Sequence, residues 1–243
     1  MKNMILAVSA VSAVAASANA GFQGFVASVR TSGAYTIIDI FAGVSNASDK
    51  FLNVYDANVS TTVAGGFFQK AGLATKTWKP DVAGFTNTRN AIDSFMTAGT
   101  FSGGSYGGEY YASTNTYADP NFSGNSWNAT PASAAATTVP ANAGWYTGDS
   151  TSVDNFAESL SGLTGRVNGT NGQFATHGIW VAHLVLSGTN VQLGTDVSFA
   201  GFVSIKDGIS GAVSQGSSSF VIPAPGAIAL LGLAGFASRR RRA

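Results

Sequence analysis

The sequence contains no cysteine, and this absence excludes disulfide bonds, thiolate metal sites and cysteine nucleophiles together. Charged residues are also scarce, because Asp, Glu, Lys and Arg make up only 10% of the 243 residues, against about a quarter in an ordinary soluble chain. Glycine is abundant, with 30 residues, so Ser, Thr and Asn must supply most of the polar surface. This composition is typical of an extracellular β protein with many turns, held together by its core.

Histidine is nearly absent as well, and this limits catalysis and metal binding. His177 and His183 are separated by six residues on a predicted strand, which places them about 20 Å apart, too far to share a metal. We expect each to be a strand-surface or cap imidazole. A glycosidase that pairs two distant carboxylates stays open as an alternative. Its candidate acids are Asp39, Asp56, Asp93, Glu109, Asp119, Asp154 and Glu158.

Three oxygen-rich turns raise the question of calcium: Asp56-Ala57-Asn58, Asp119-Pro120-Asn121 and Asp207-Gly208. None has the spacing of an EF-hand or of a calcium-binding nonapeptide repeat, and Asx-turn formation accounts for them without metal. The sequence also lacks a phosphate-binding glycine loop and a nucleotide fingerprint. We therefore predict no catalytic, cofactor-binding or metal-binding residues.

The amino-terminal residues have the features of a secretory signal peptide. Lys2 supplies a short positive region, residues 4–14 are apolar and small, and Ala18-Asn19-Ala20 forms an A-x-A cleavage site. We expect signal peptidase to remove residues 1–20, so that the mature chain begins at Gly21.

The carboxyl-terminal residues form a tail of three parts. Pro223 and Pro225 stiffen a short extended segment around Ala224, and the apolar run 226–237 follows. As a helix this run is about 18 Å long, shorter than the roughly twenty residues that cross a bilayer core. The tail ends in a cationic cluster suited to the cytoplasmic side of a membrane. That cluster consists of Arg239, Arg240, Arg241 and Arg242.

This tail resembles the PEP-CTERM sorting signal, in which Pro-Glu-Pro, a short apolar helix and an arginine cluster are recognised and cleaved by an exosortase. Ala224 stands where that signal has Glu, and the resulting Pro-Ala-Pro is similar to the variant of planctomycete-like proteins. The resemblance implies an exported protein that contacts the inner membrane transiently and is then placed on the cell surface, in the outer envelope or in the extracellular matrix. An exosortase-type transpeptidase is the implied partner.

Removal of both end segments changes the charge of the protein. The whole chain has 13 basic and 12 acidic residues, but Lys2 and the four tail arginines lie in the removable segments. The passenger domain, residues 21–222, is therefore mildly acidic. This argues against nucleic acid as a partner, because its binding rests on clustered Lys and Arg.

Short runs rich in Val, Ile, Phe and Tyr, separated by Gly, Asn, Ser and Thr, predict strands throughout the passenger domain. Apolar residues on both faces of 34–44 indicate a central strand. We expect an all-β fold, an antiparallel β-sandwich of Ig-like or cohesin-like type, with the sorting signal at 223–243. A short helix or turn is expected over 153–160, with Asp154 as its cap. The predicted strands cover 23–29, 34–44, 51–59, 65–69, 91–97, 178–186, 198–205 and 218–222.

The middle of the passenger domain, residues 101–147, is rich in Gly, Ser, Asn, Ala and Tyr. This composition predicts long loops that pack over the surface of the sandwich. Its aromatic residues have two explanations. They pack the loops onto the sheet, or they form a platform that stacks on sugars. For the second we name Trp127, Trp145 and Tyr146 as candidate glycan contacts.

Three functions remain. The first is a non-enzymatic surface or matrix protein, sorted and cleaved by an exosortase and retained in extracellular polysaccharide. The second is a carbohydrate-binding module that uses loop aromatics. The third is a secreted glycoside hydrolase.

Overall fold

The computed structural model of the chain describes residues 21–70, 77–80, 92–100, 112–113, 115–129, 133, 137–151, 155 and 157–220. These residues form two antiparallel sheets that enclose a common hydrophobic core, which confirms the predicted all-β, sandwich-like fold. The strands are β1 (Phe22–Ser32), β2 (Tyr35–Val44), β3 (Lys50–Thr61), β4 (Phe95–Met96), β5 (Thr116–Ala118), β6 (Ala143–Thr147), β7 (Glu158–Ser159), β8 (Arg166–Asn168), β9 (His177–Ser187), β10 (Val197–Lys206) and β11 (Val213–Phe220).

Sheet A has the strand order β4-β9-β2-β1-β8, and β7 pairs with β9. Strands β1 and β2 form the predicted hairpin, whose turn contains Gly33 at a φ of 58°. Strand β2 lies between β9 and β1, as its apolar residues on both faces predict.

Sheet B has the order β11-β10-β3-β6-β5. Irregular register in β3 keeps its apolar residues turned inward, with Phe51, Val54 and Val59 buried. Asp56 occupies one of these irregular positions, with a φ of 51°.

The core lies between the sheets and is rich in aromatic rings. Phe25 of sheet A meets Phe199 of sheet B edge to face, with 4.9 Å between the ring centroids. A second, smaller cluster covers the opposite face of sheet A and includes Phe41, Phe95 and Trp180. Sheet A is therefore buried on both sides, whereas sheet B keeps one face toward solvent.

Several predicted elements are wrong. Glu158–Ser159 is a strand paired with β9, so the helix or turn predicted over 153–160 is replaced by extended structure at these two residues. Residues 143–147, predicted as loop, are strand β6, because pairing with β3 supplies the hydrogen bonds that an isolated segment lacks. A short helix, α1 (Pro120–Phe122), runs into a π-helical turn at Ser123–Trp127.

The predicted strand over 65–69 has no strand structure, and the one over 91–97 is reduced to β4 in its described part. Residues 1–20 and 221–243, which carry the two predicted signals, lie outside the described residues. Within the described ranges, no helix has the length and apolar character that crossing a membrane requires.

Candidate functional site

Two pairs of aromatic rings lie on the solvent face of sheet B. Tyr55 of β3 stacks on Phe202 of β10, with ring centroids 5.3 Å apart and planes inclined by 22°. Tyr146 of β6 stacks on Tyr117 of β5, with centroids 5.8 Å apart and an angle of 23°. Phe202, Tyr146 and Tyr117 are 39%, 42% and 45% exposed, which is unusual for large apolar rings that neighbour each other on one sheet.

A groove of about 430 Å³ lies beside the first pair. Phe202 forms one of its walls, and strand β11 contributes only small residues, among them Ser217 and Ser219. The rim carries the carboxylate of Asp56 and the amide of Asn58, both exposed. An aromatic wall with hydroxyl, amide and carboxylate groups around it matches the chemistry of a sugar ring, which has apolar CH faces and polar edges.

The same face continues the polar pattern toward the second ring pair. The Gln215 side chain donates a hydrogen bond to the Ser204 hydroxyl at 3.2 Å. Asn53, which pairs with both Ser204 and Tyr146, has a side-chain oxygen with no hydrogen-bond donor among the described residues. This amide oxygen is itself buried, so it offers no contact to a ligand on the surface of sheet B.

The predicted glycan contacts divide into two groups. Trp145 is 0% exposed and packs against Phe122 and Phe199 between the sheets, and Trp127 is 4% exposed and packs on Phe122. A buried indole offers no face to a ligand, so the prediction is wrong for these two residues. Tyr146 is exposed and belongs to the ring pair with Tyr117.

Sequence reasoning missed Phe202, although a signal was present. In 198–205 the alternation puts Phe199, Val203 and Ile205 on one face and Ser198 and Ser204 on the other. Phe202 shares the parity of the serines, and an aromatic residue on the polar side of an amphipathic strand is a binding-site signal.

A charged cluster lies on the covered face of sheet A. Asp39 of β2 is buried and accepts hydrogen bonds from Arg30 of β1 and from His183 of β9, the latter at 2.5 Å between Nδ1 and Oδ1. Burial by itself would raise the pKa of Asp39, but the charges and hydrogen bonds of His183 and Arg30 outweigh it and lower the pKa. His183 stacks on Phe95 with centroids 4.9 Å apart. Its prediction as a surface or cap imidazole is therefore wrong.

The other candidate acids are dispersed. Asp119 caps α1 by accepting from the Phe122 amide at 2.7 Å, and Asp93 accepts from the Lys70 amide at 2.9 Å. Asp56 is exposed on the groove, and Glu158 lies in β7. Glu109 and Asp154 lie outside the described residues.

Residues 103–107 spell Gly-Gly-Ser-Tyr-Gly, a Gly-x-Ser-x-Gly string, and lie outside the described residues. In the described part of the chain, no three His, Asp or Glu side chains are grouped so as to hold a metal. His177 lies at the start of β9, with Nδ1 3.0 Å from the Thr176 hydroxyl.

The comparisons with known proteins add no relative: no family model, curated protein or solved structure matches this chain.

Proposed function

We propose that this chain is an exported, non-enzymatic surface or matrix protein that binds extracellular polysaccharide through the solvent face of sheet B. The observation that carries the proposal is the groove beside Phe202, where an aromatic wall meets a rim of hydroxyl, amide and carboxylate groups. Tyr55 stacks behind Phe202 and so holds the ring that faces the groove.

A neutral or weakly charged polysaccharide fits this face best. Its strands carry Ser, Asn, Gln and aromatic side chains, and the charged groups near the two ring pairs are few. Asp56 lines the groove, and the Lys79 ammonium lies 5.4 Å from the Tyr117 ring centroid, as in a cation–π contact. Neutral sugars bind by stacking and by hydrogen bonds to such side chains, without clustered charge.

Export and sorting are part of the same proposal and rest on the sequences of residues 1–20 and 223–243. An exosortase-type transpeptidase acts on the tail, and the passenger is then held in the envelope or matrix. The finer fold assignment, an Ig-like or cohesin-like sandwich, is supported by the two-sheet arrangement.

Affinity electrophoresis tests the binding, with gels that contain soluble xylan, mannan, dextran or hydroxyethylcellulose. We expect at least one polysaccharide to retard the protein, and Phe202→Ala to weaken that binding about tenfold, the loss of about 1.4 kcal/mol of stacking. Phe174→Ala is the matched control, because Phe174 is 61% exposed and does not line the groove.

Two results contradict the proposal. In one, no polysaccharide retards the wild-type protein. In the other, Phe174→Ala weakens binding as much as Phe202→Ala does. Tyr117→Ala shows in addition whether the second ring pair extends the binding surface.

A further inference from the structure

The turn before β3 packs against the turn after β10, and each of the two turns carries one aspartate. Asp49 precedes β3 and Asp207 follows β10, and these two strands are neighbours in sheet B. The Gly208 amide donates to Oδ1 of Asp49 at 3.3 Å. A Cβ added to Gly208 would stand 2.0 Å from the carbonyl oxygen of Ser48, so the two turns are in direct contact.

The second oxygen of the Asp49 carboxylate is the unusual feature. Asp49 is 0% exposed, and its Oδ2 has no hydrogen-bond donor among the described residues. Burial raises the pKa of Asp49 and the charge of Asp207 raises it further, against the opposing effects of the Gly208 and Asn46 backbone and of His177. A buried carboxylate oxygen without a donor is unfavourable unless a proton or a cation occupies it.

Asp207 supplies a second negative group near the Asp49 carboxyl, because Gly208, the residue after Asp207, donates to that carboxyl. Its Oδ1 accepts from the amides of Ile209 and Ser210, both at 2.7 Å, and these bonds lower its pKa. The Ser210 side chain also hydrogen-bonds to this carboxylate.

We propose that Asp49 and Asp207 bind a divalent cation of the calcium type. Calcium takes six to eight oxygen ligands, which carboxylates, main-chain carbonyls and water together provide. The carbonyl oxygen of Ser48 lies at the contact between the two turns and is a main-chain oxygen of this kind. With only two carboxylates, the dissociation constant is about 10⁻⁴–10⁻³ M, the range of extracellular calcium modules.

Thermal unfolding of the protein purified from exporting cells tests this site, first after EDTA treatment and then with 10 mM CaCl₂. We expect calcium to raise the Tm by about 3–6 °C, the shift for a site with a dissociation constant near 1 mM in a domain of this size. Asp49→Asn and Asp207→Asn should lose that shift. Asp56→Asn is the matched control, because Asp56 is an exposed acid of the same sheet, and it should keep the shift.

Asp207→Asn keeps the test decisive if Asp49→Asn does not fold, because its amide oxygen still accepts from Ile209 and Ser210. The proposal is overturned if calcium leaves the wild-type Tm unchanged, or if Asp207→Asn keeps the calcium shift. It is also overturned if Asp49→Asn raises the Tm in EDTA while calcium leaves the Tm of the wild type unchanged. In that case a proton, rather than a cation, occupies Oδ2 of Asp49.

Discussion

The most consequential single residue in the described fold is Asp39. Its carboxylate lies on the covered face of sheet A, between Arg30, whose side chain is 22% exposed, and His183, at 1%. Buried charges of this kind contribute little net stability as a pair, but removing one partner leaves the other uncompensated. Asp39 is thus a position where a nearly isosteric change has a large effect.

We predict that Asp39→Asn lowers the free energy of unfolding at pH 7 by about 3 kcal/mol, at the low end for buried pairs because Arg30 is partly exposed. The folded pKa of Asp39 is lowered from 3.8, so its contribution is complete above that value and is lost as the pH falls below it. Guanidinium unfolding at pH 7 and pH 3 measures this. An equal gap between variant and wild type at both values contradicts the prediction.

At the residue scale, the sequence gives the positions of the aromatic residues, but it does not reveal which of them are buried and which are exposed in the fold. Trp127 and Trp145 read as loop aromatics because β6 and the π-helical turn are only five residues long each and lie in a stretch rich in Gly, Ala and Asn. The burial of Trp145 involves a partner far away in sequence, Phe199. Asp49 gave no signal at all, since the burial of its side chain and the lack of a donor to Oδ2 arise only in the folded chain.

Strand β6 contributes one aromatic side chain to the core and the next one to the solvent face. Consecutive side chains of a strand point to opposite faces, so Trp145 enters the core while Tyr146 faces solvent. Gly148, just beyond the strand, leaves room for the Tyr117 ring, because an added Cβ would stand 2.4 Å from that ring.

We predict that Trp145→Ala lowers the free energy of unfolding by about 3–5 kcal/mol, the cost of a large cavity in the core. Tyr146→Ala, its neighbour, should cost about 1 kcal/mol or less, because it loses only an exposed ring contact. Urea unfolding of the two variants measures the contrast. A larger loss for Tyr146→Ala would place the strand in the opposite orientation.

At the element scale, long patterned strands were predictable and short ones were not. Strands β1, β2, β3, β9 and β10 each carry enough β-branched and aromatic residues to be recognised locally. Strands β4, β5, β7 and β8 have two or three residues each and form only because a longer strand offers its free edge. Tertiary pairing, rather than propensity, decides such segments.

At the scale of the whole molecule, the prediction concerns cleavage at both ends of the chain. We expect the exported protein to begin at Gly21 and to lack the residues after about Pro225. Intact-mass measurement decides this, and Pro223→Ala or deletion of residues 239–242 should leave the tail uncut. A mass that includes Arg242 in the exported wild-type protein would contradict cleavage and leave an anchored tail.

The first and last strands meet at one place in the fold. Phe25 of β1 stacks near Phe220 of β11, with ring centroids 6.4 Å apart, and the Phe25 amide donates to the Ser218 hydroxyl at 2.9 Å. The proposed polysaccharide groove borders the same strand, at Ser217 and Ser219. Under the proposed function, a passenger held through its carboxyl end and bound to polysaccharide at this groove would bear the tension between the two attachments mainly along β11. Most of the sandwich would then lie outside the path of the force.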